Sequence, residues 1–287
     1  MSARAEVRKT YKLYINGAFP RSESGRSFVV NDAKGEFLAN ASHASRKDVR
    51  DAVGAARSAF GSWAGRTAYN RGQIVYRIAE VVESRRAQFE AEIVAAEGVS
   101  PAKARDYVSL AVDRLVWYAG WADKIAQVTG GANPVAGPFF NHSAPEPTGV
   151  IGVVAPKGAL FGLVSVVAPV IAVGNTCVVI ASQEHPLPAI TLAEVMATSD
   201  LPGGVVNILT GPQAELAPWL ATHLDVGGLD LTGVTDPALA TSLEGDAAVN
   251  LKRVRRPSAS EDLLAAPALD RMTGFLETKT VWHPMGI

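Results

Sequence analysis

The sequence predicts an α/β fold, a doubly wound, five-stranded parallel sheet preceded by an N-terminal segment of short strands and helices. Three observations carry this. Five short apolar runs, VIGVVAP, CVVIAS, VVNILTG, VGGLDLTG and AVNLKRV, follow one another between Val150 and Val254. Helical stretches near Phe161–Val173, Leu187–Thr198, Ala214–His223 and Asp236–Leu243 separate them, the spacing of βαβ units in a parallel sheet. Runs such as CVVI are apolar at every position, as strands covered on both faces are.

The remaining elements follow in chain order. Met1 to Lys12 is polar and basic with no apolar centre, so no secretory signal is expected. Tyr11 to Ser45 reads as β structure, with LYINGAF, SFVV and EFLANASHA divided by Ser, Gly, Asn and Asp. Asp48 opens a helix whose apolar face is Val49, Val53, Ala56 and Phe60. A second helix is expected from about Tyr69 to Ala96, through Ile74, Ile78, Val81, Val82, Phe89 and Ile93, closed by Gly98. A third starts near Pro101 and runs to about Val128 through Leu110, Leu115, Trp117 and Trp121, an aromatic stripe expected to pack as core. Thr129 to Pro147, rich in Gly, Pro and Asn, divides this part from the sheet.

Gly158 to Gln183 holds no charged residue, yet a membrane span needs about 20 apolar residues in one helix. Pro169 and the Gly174-Asn175-Thr176 break make helix, turn and buried strand the better expectation. After Val254 the run from Arg255 to Asp262 is charged and turn-prone, a linker by composition. The closing FLETKTVWHPMGI, with Thr278, Thr280 and Trp282 alternating with Lys279 and Val281, reads as a terminal strand.

The 287 residues are 48% hydrophobic and 19% charged, with a formal net charge of -1. Such a composition excludes a mainly disordered chain and a nucleic-acid binder that relies on bulk positive charge. It points to a soluble, cytoplasmic protein of roughly two domains. The single cysteine, Cys177, excludes an internal disulfide and a cysteine-rich metal cluster. Its place in an apolar run suggests a buried structural thiol. His43, His142, His185, His223 and His283 lack metal-ligand spacing, and no standard glycine-rich phosphate loop follows a strand. The basic run Lys252, Arg253, Arg255, Arg256 fits either an anion or acidic partner, or a solvated strand end. Ligands of doubly wound sheets sit beyond the C-terminal strand ends. The informative loops are therefore Ala155 to Gly158, Ala181 to Gln183, Thr210 to Pro212 and Thr232 to Thr235.

LYINGAF, DVRDAVGAARSAFGSWA, EPTGVIGVVAP, PVIAVGNTCVV and LPGGVVNILTGP occur in the order found in the aldehyde dehydrogenase superfamily, and most of the chain resembles that family. The resemblance implies a Rossmann-like coenzyme domain, a catalytic domain, and an oligomerisation arm that adds strands to a neighbouring subunit. It divides this chain into an N-terminal part, 1–128; an arm, 129–148 plus 269–287; a coenzyme-type domain, 149–256; and a linker, 257–268, in place of the catalytic domain.

The departures from the family pattern bear on chemistry. Where the family carries proline-tryptophan-asparagine this chain has Pro156-Lys157-Gly158, which lacks the side-chain donor for an oxyanion. The lysine-proline-Ser/Ala-glutamate run that holds the adenine ribose becomes Ile180-Ala181-Ser182-Gln183. The turn after the third strand keeps Gly211, but its second glycine is Gln213. The phosphate turn reads Leu231-Thr232-Gly233-Val234-Thr235, and the glycine after it is Ala238. Pro156, Lys157, Gly158, Ser182, Gln183, Gly211 and the Thr232-Gly233-Val234 turn are thus the positions of a degenerate NAD site. Losing one charged and one neutral hydrogen bond costs roughly 2–4 kcal/mol, so NAD is expected to bind weakly or not at all.

The glutamate-leucine-glycine-glycine-lysine motif that carries the family's general base does not follow Val254, and no second cysteine can serve as nucleophile. The terminal strand nevertheless resembles the family's C-terminal oligomerisation strand. The same architecture is similar to the truncated second module of two-module, family-16 type aldehyde dehydrogenases. The resemblance implies a non-catalytic homologue, a structural or regulatory subunit. Its partner is expected to be a full-length aldehyde dehydrogenase, or a second copy, engaged through the 138–147 and 275–283 strands. The alternatives are NAD-dependent aldehyde oxidation that is residual or confined to a complex, and weak NAD sensing. No metal, nucleic acid or membrane is expected.

Overall fold

The computed structural model describes residues 9–256, 258 and 261–286. Residues 1–8 of the leading segment, 257, 259 and 260 of the expected linker, and 287 of the expected arm lie outside the described residues. The chain begins with a small sheet in which β3 (Phe37–Ser42) lies between β1 (Thr10–Tyr11) and β2 (Ser27–Asn31). Helix α1 (Arg46–Ala64) starts at a reciprocal cap: the Ser45 side chain accepts from the Asp48 amide, and Asp48 Oδ2 accepts from the Ser45 amide at 2.8 Å. The expected anchor Phe60 is only half-buried; Trp63 is fully buried instead, with its Nε1 donating to Ile171 O at 3.0 Å.

The single helix expected over Tyr69–Ala96 is two, α2 (Ala68–Ser84) and α3 (Arg86–Glu97). At the join, the Arg85 amide is shared between Val81 O and Val82 O, and its guanidinium reaches Glu194 at 2.8 Å. The break re-aims the chain so that Phe89 and Ile93 enter the core. α4 (Pro101–Trp121) then ends before a short α5 (Ile125–Thr129), where one longer helix was expected.

The expected five-stranded, all-parallel sheet is present. It is built from β6 (Val150–Val154), β7 (Thr176–Ile180), β8 (Val206–Leu209), β9 (Val226–Asp230) and β10 (Arg253–Arg255), in the order β10-β9-β6-β7-β8. Helices α6 (Phe161–Ala172), α7 (Leu187–Ala197), α8 (Gln213–Thr222) and α9 (Pro237–Ala247) connect them. The fifth strand begins later than AVNLKRV suggests. Ala248–Asn250 continues α9 as a 3-10 turn, and Asn250 Nδ2 is tied to Leu224 O at 3.1 Å, so only Arg253 onward is free to pair with β9.

Strand alternation explains the layers. Ile151, Val153, Cys177 and Val179 face a core shared with Ile78, Leu115 and Ile171, from α2, α4 and α6. Their neighbours Val150, Val154, Val178 and Ile180 face a second core with Val53, Leu216 and Leu243, from α1, α8 and α9. Both faces are therefore covered, which is why these strands carry no polar alternation. No helix among the described residues is long and apolar enough to cross a membrane.

A third, antiparallel sheet stands apart, with β5 (Phe139–Pro147) between β4 (Gly131–Asn133) and β11 (Leu276–Pro284), the last preceded by a short α10 (Asp270–Thr273). β11 pairs with β5 from Leu276↔Pro147 to Pro284↔Phe139. The base of this ribbon is held by buried Asn175, whose Oδ1 accepts from the Gly149 amide at 2.9 Å and whose Nδ2 donates to Phe275 O at 3.0 Å. Replacing Asn175 with Ala leaves the Gly149 amide unpaired in the interior, an expected loss of about 1–3 kcal/mol. Urea unfolding measures it, and an unchanged midpoint would contradict this role for the side chain.

Candidate functional site

The C-terminal ends of four neighbouring strands bring the sequence-nominated residues to one edge of the central sheet. Pro156, Lys157 and Gly158 follow β6; Ser182 and Gln183 follow β7; Gly211 follows β8; and Thr232, Gly233 and Val234 follow β9. The crossover point lies at β6, which is flanked by β7 on one side and β9 on the other.

The donors of the turn after β9 already have partners. In the turn after β9, the Thr232 amide donates to Asp230 Oδ1 at 2.9 Å and the Thr232 hydroxyl to the same oxygen at 2.5 Å. The Gly233 amide donates to Val154 O at 2.9 Å and the Val234 amide to Leu231 O at 2.8 Å. Glycine is required at 233, because a Cβ there would collide with the Ala155 carbonyl. Val234 turns its side chain into the core.

Asp230 is buried and pairs with Arg271 Nη1 at 3.1 Å. Burial pushes its carboxyl above the usual carboxylate range, and the Arg271 guanidinium pulls the other way. Arg271 also donates to Thr232 Oγ1 at 3.2 Å and to Glu261 Oε1 at 2.5 Å. Arg255 joins Glu261 and Asp270, each at 2.8 Å. Arg114, on α4, donates to the carbonyls of Leu263 and Ala265. The segment after β10 is thus bound to the end of the sheet.

On the other side of the edge, Lys157 Nζ lies 2.5 Å from Glu184 Oε2. Ser182 Oγ donates to Lys157 O at 3.4 Å and accepts from the His185 amide at 3.3 Å. The Ala159 amide, just before α6, donates to Glu97 Oε1 at 2.9 Å. Gln183 Oε1 accepts from the Gln213 amide at 3.2 Å, and Gln213 Nε2 donates to Ala155 O at 3.0 Å. Ile180, at the position of the family's ribose-holding lysine, is fully buried in an apolar cluster.

Cys177 is fully buried, and burial pushes its thiol pKa up, so it carries no thiolate near neutrality. The basic run is paired within the chain. Arg253 forms a two-pronged contact with Glu277 at 2.6 and 2.7 Å, Arg255 is held as above, and Arg256 lies 3.3 Å from Glu244. Lys252 is buried. Arg253 and Arg256 are exposed, as a solvated strand end is, and the carboxylates that meet the arginines come from α9, β11 and the residues after β10. No group of three or more His, Cys, Asp or Glu residues suited to a metal ion occurs among the described residues.

Sequence reasoning missed Asp230, Arg271, Glu261 and Glu97. One signal was present for the first: Asp230 is the lone charge in the apolar run VGGLDLTG. A charge at the end of a buried strand calls for a partner, but its identity depended on the fold.

The aldehyde dehydrogenase family model matches residues 19–255. The chain is 36% identical over 251 residues to the cytosolic aldehyde dehydrogenase 1 of Elephantulus edwardii, a match covering 85% of this chain and 49% of that protein. It is 35% identical over 256 residues to retinal dehydrogenase 2 of Mus musculus, covering 87% of this chain and 48% of that one. The HpcC structure from Thermus thermophilus superposes with a TM-score of 0.82 at 29% identity, over 86% of this chain and 48% of that chain. The NAD+ complex of an aldehyde dehydrogenase from Bacillus cereus gives a TM-score of 0.81 at 28% identity, over 86% and 50%. The chain spans about half the length of the curated relatives it matches.

Two outcomes follow from the geometry. Cys177 should remain unmodified by Ellman's reagent in the folded protein and react fully in denaturant; rapid labelling of the folded chain would overturn the buried-thiol assignment. Arg271→Leu leaves Asp230 buried without the guanidinium it pairs with and should destabilise the fold by about 3–5 kcal/mol, measured by urea unfolding.

Proposed function

We propose, from the premise that this chain belongs to the aldehyde dehydrogenase family, that it is a non-catalytic member whose work is assembly. In this reading it is a structural or regulatory subunit that joins a full-length aldehyde dehydrogenase, or a second copy of itself, through strands 138–147 and 275–283. The observation that carries the reading is the β5–β11 ribbon. β11 lies at the edge of its sheet, and every residue from Glu277 to Pro284 is exposed. Trp282 and Phe139 meet edge to face at 5.7 Å, and Phe140 stands exposed beside them on β5. An open strand edge of this length pairs readily with another chain, by main-chain hydrogen bonds that need no active site.

Chemistry supports the same reading. The parent reaction oxidises an aldehyde through a cysteine thiolate and NAD, whereas the one cysteine of this sequence is sealed in the core. We read residues 257–268 as standing where the catalytic domain would be, an arrangement similar to the second module of the two-module, family-16 type enzymes. In this reading the assembly is cytoplasmic. The likeness to an NAD+ complex favours a second reading, in which the chain senses NAD weakly or aldehyde oxidation arises only within the complex, at the partner's site.

Co-purification from the native cell tests the proposal. A full-length aldehyde dehydrogenase should accompany the chain, and Trp282→Asp should weaken the complex at least about tenfold, about 1.4 kcal/mol, while leaving the melting temperature unchanged. A monomer at micromolar concentration both alone and with the co-expressed relative would contradict the proposal. So would aldehyde-dependent NADH production by the purified chain alone.

A further inference from the structure

We infer that the chain plugs its own strand-end cleft, with Gln213 as the plug, so that a dinucleotide is shut out rather than merely held less well. Gln213 is the first residue of α8, which follows β8 at the edge of the sheet. Its side-chain amide donates at 3.0 Å to the carbonyl of Ala155, the first residue beyond β6. β7 lies between β8 and β6, so the contact bridges about two strand spacings, on the order of 10 Å, across the end of β7. The Gln213 amide meanwhile donates at 3.2 Å to Oε1 of Gln183, from the loop after β7. One residue therefore links the loops of three adjacent strands, over the place where an open α/β sheet receives its ligand.

Several of the groups that would meet a pyrophosphate are committed too. Anion sites in such sheets depend on free backbone amides at turns and helix starts. Here the three amides from Thr232 to Val234 donate to oxygens of the chain itself. The Ala159 amide before α6 is taken by the Glu97 carboxylate, and Lys157 is drawn to Glu184. The residues present do not fit an NAD phosphate. Admitting one requires breaking internal hydrogen bonds and placing negative charge near the Glu97 carboxylate that holds the Ala159 amide.

Calorimetric titration of the full chain with NAD, alongside thermal melting, tests this. The unaltered chain should give no saturable heat and no rise in melting temperature up to about 1 mM NAD. Gln213→Gly removes the bridge to Ala155, and the folded variant should gain at least about tenfold in NAD affinity, with a melting temperature that climbs with NAD. Gln213→Ser, too short to reach Ala155, should show the same gain and serves if the glycine variant fails to fold. Saturable binding by the unaltered chain at any concentration up to about 1 mM NAD would overturn the inference, and so would folded variants that gain nothing. Assembly through the arm is read by co-purification, which this titration does not touch, so the two can fail separately.

Discussion

The buried pair of Asp230 and Arg271 is the contact on which most of this architecture depends. Asp230 ends β9, the strand beside the crossover point, and Arg271 lies on the short helix that leads into β11. Their 3.1 Å contact therefore joins the central sheet to the root of the ribbon, and Glu261 and Arg255 extend it into the intervening segment. Two charges taken out of water bring little net stability, but removing Arg271 leaves Asp230 buried without that partner, while removing Asp230 leaves Arg271 to Glu261. The pair thus works as a constraint: the segment after β10 cannot leave the sheet without exposing or stranding a charge.

The same constraint shapes the cleft. Asp230 accepts the Thr232 amide and hydroxyl while its other oxygen takes Arg271, which turns a potential anion-binding turn inward. The contacts around it differ in weight. Lys157 and Glu184 are both well over half exposed, and such a pair contributes at most about 1 kcal/mol. Gln213 is more decisive because it acts by position, holding a carbonyl that a ligand would otherwise face. A glycine in its place has no side chain to bridge with, and the Ala155 carbonyl loses this donor.

Closure at the sheet and exposure at the ribbon make a consistent pair. Gln213, Ser182, Thr232 and Asp230 find partners within the chain at the strand ends, while β11 presents an unpaired edge and the exposed side chains of Val281 and Trp282. A strand edge left open, with apolar side chains exposed along it, is a surface suited to recognition. This asymmetry is what the assembly reading draws on.

The strand and helix sequence of the central sheet was readable from the chain alone, because period and punctuation are local: CVVI must be covered on both faces, and Gly174, at φ 99, must turn. The buried character of Cys177 followed from the same apolar run. The break at Arg85 was not readable. The α2 and α3 apolar faces look continuous in sequence, and the partner that Arg85 meets at the join, Glu194, lies 109 positions away. The fifth strand moved because Asn250 is claimed by Leu224 O. At the cleft, the sequence alone determined which residue types stand at each strand end, including Gln213 where the family has glycine. Only the tertiary structure decided that these residues bond to one another. Hydrogen-bond partners across strand ends are set by sheet order and twist, and no local pattern encodes them.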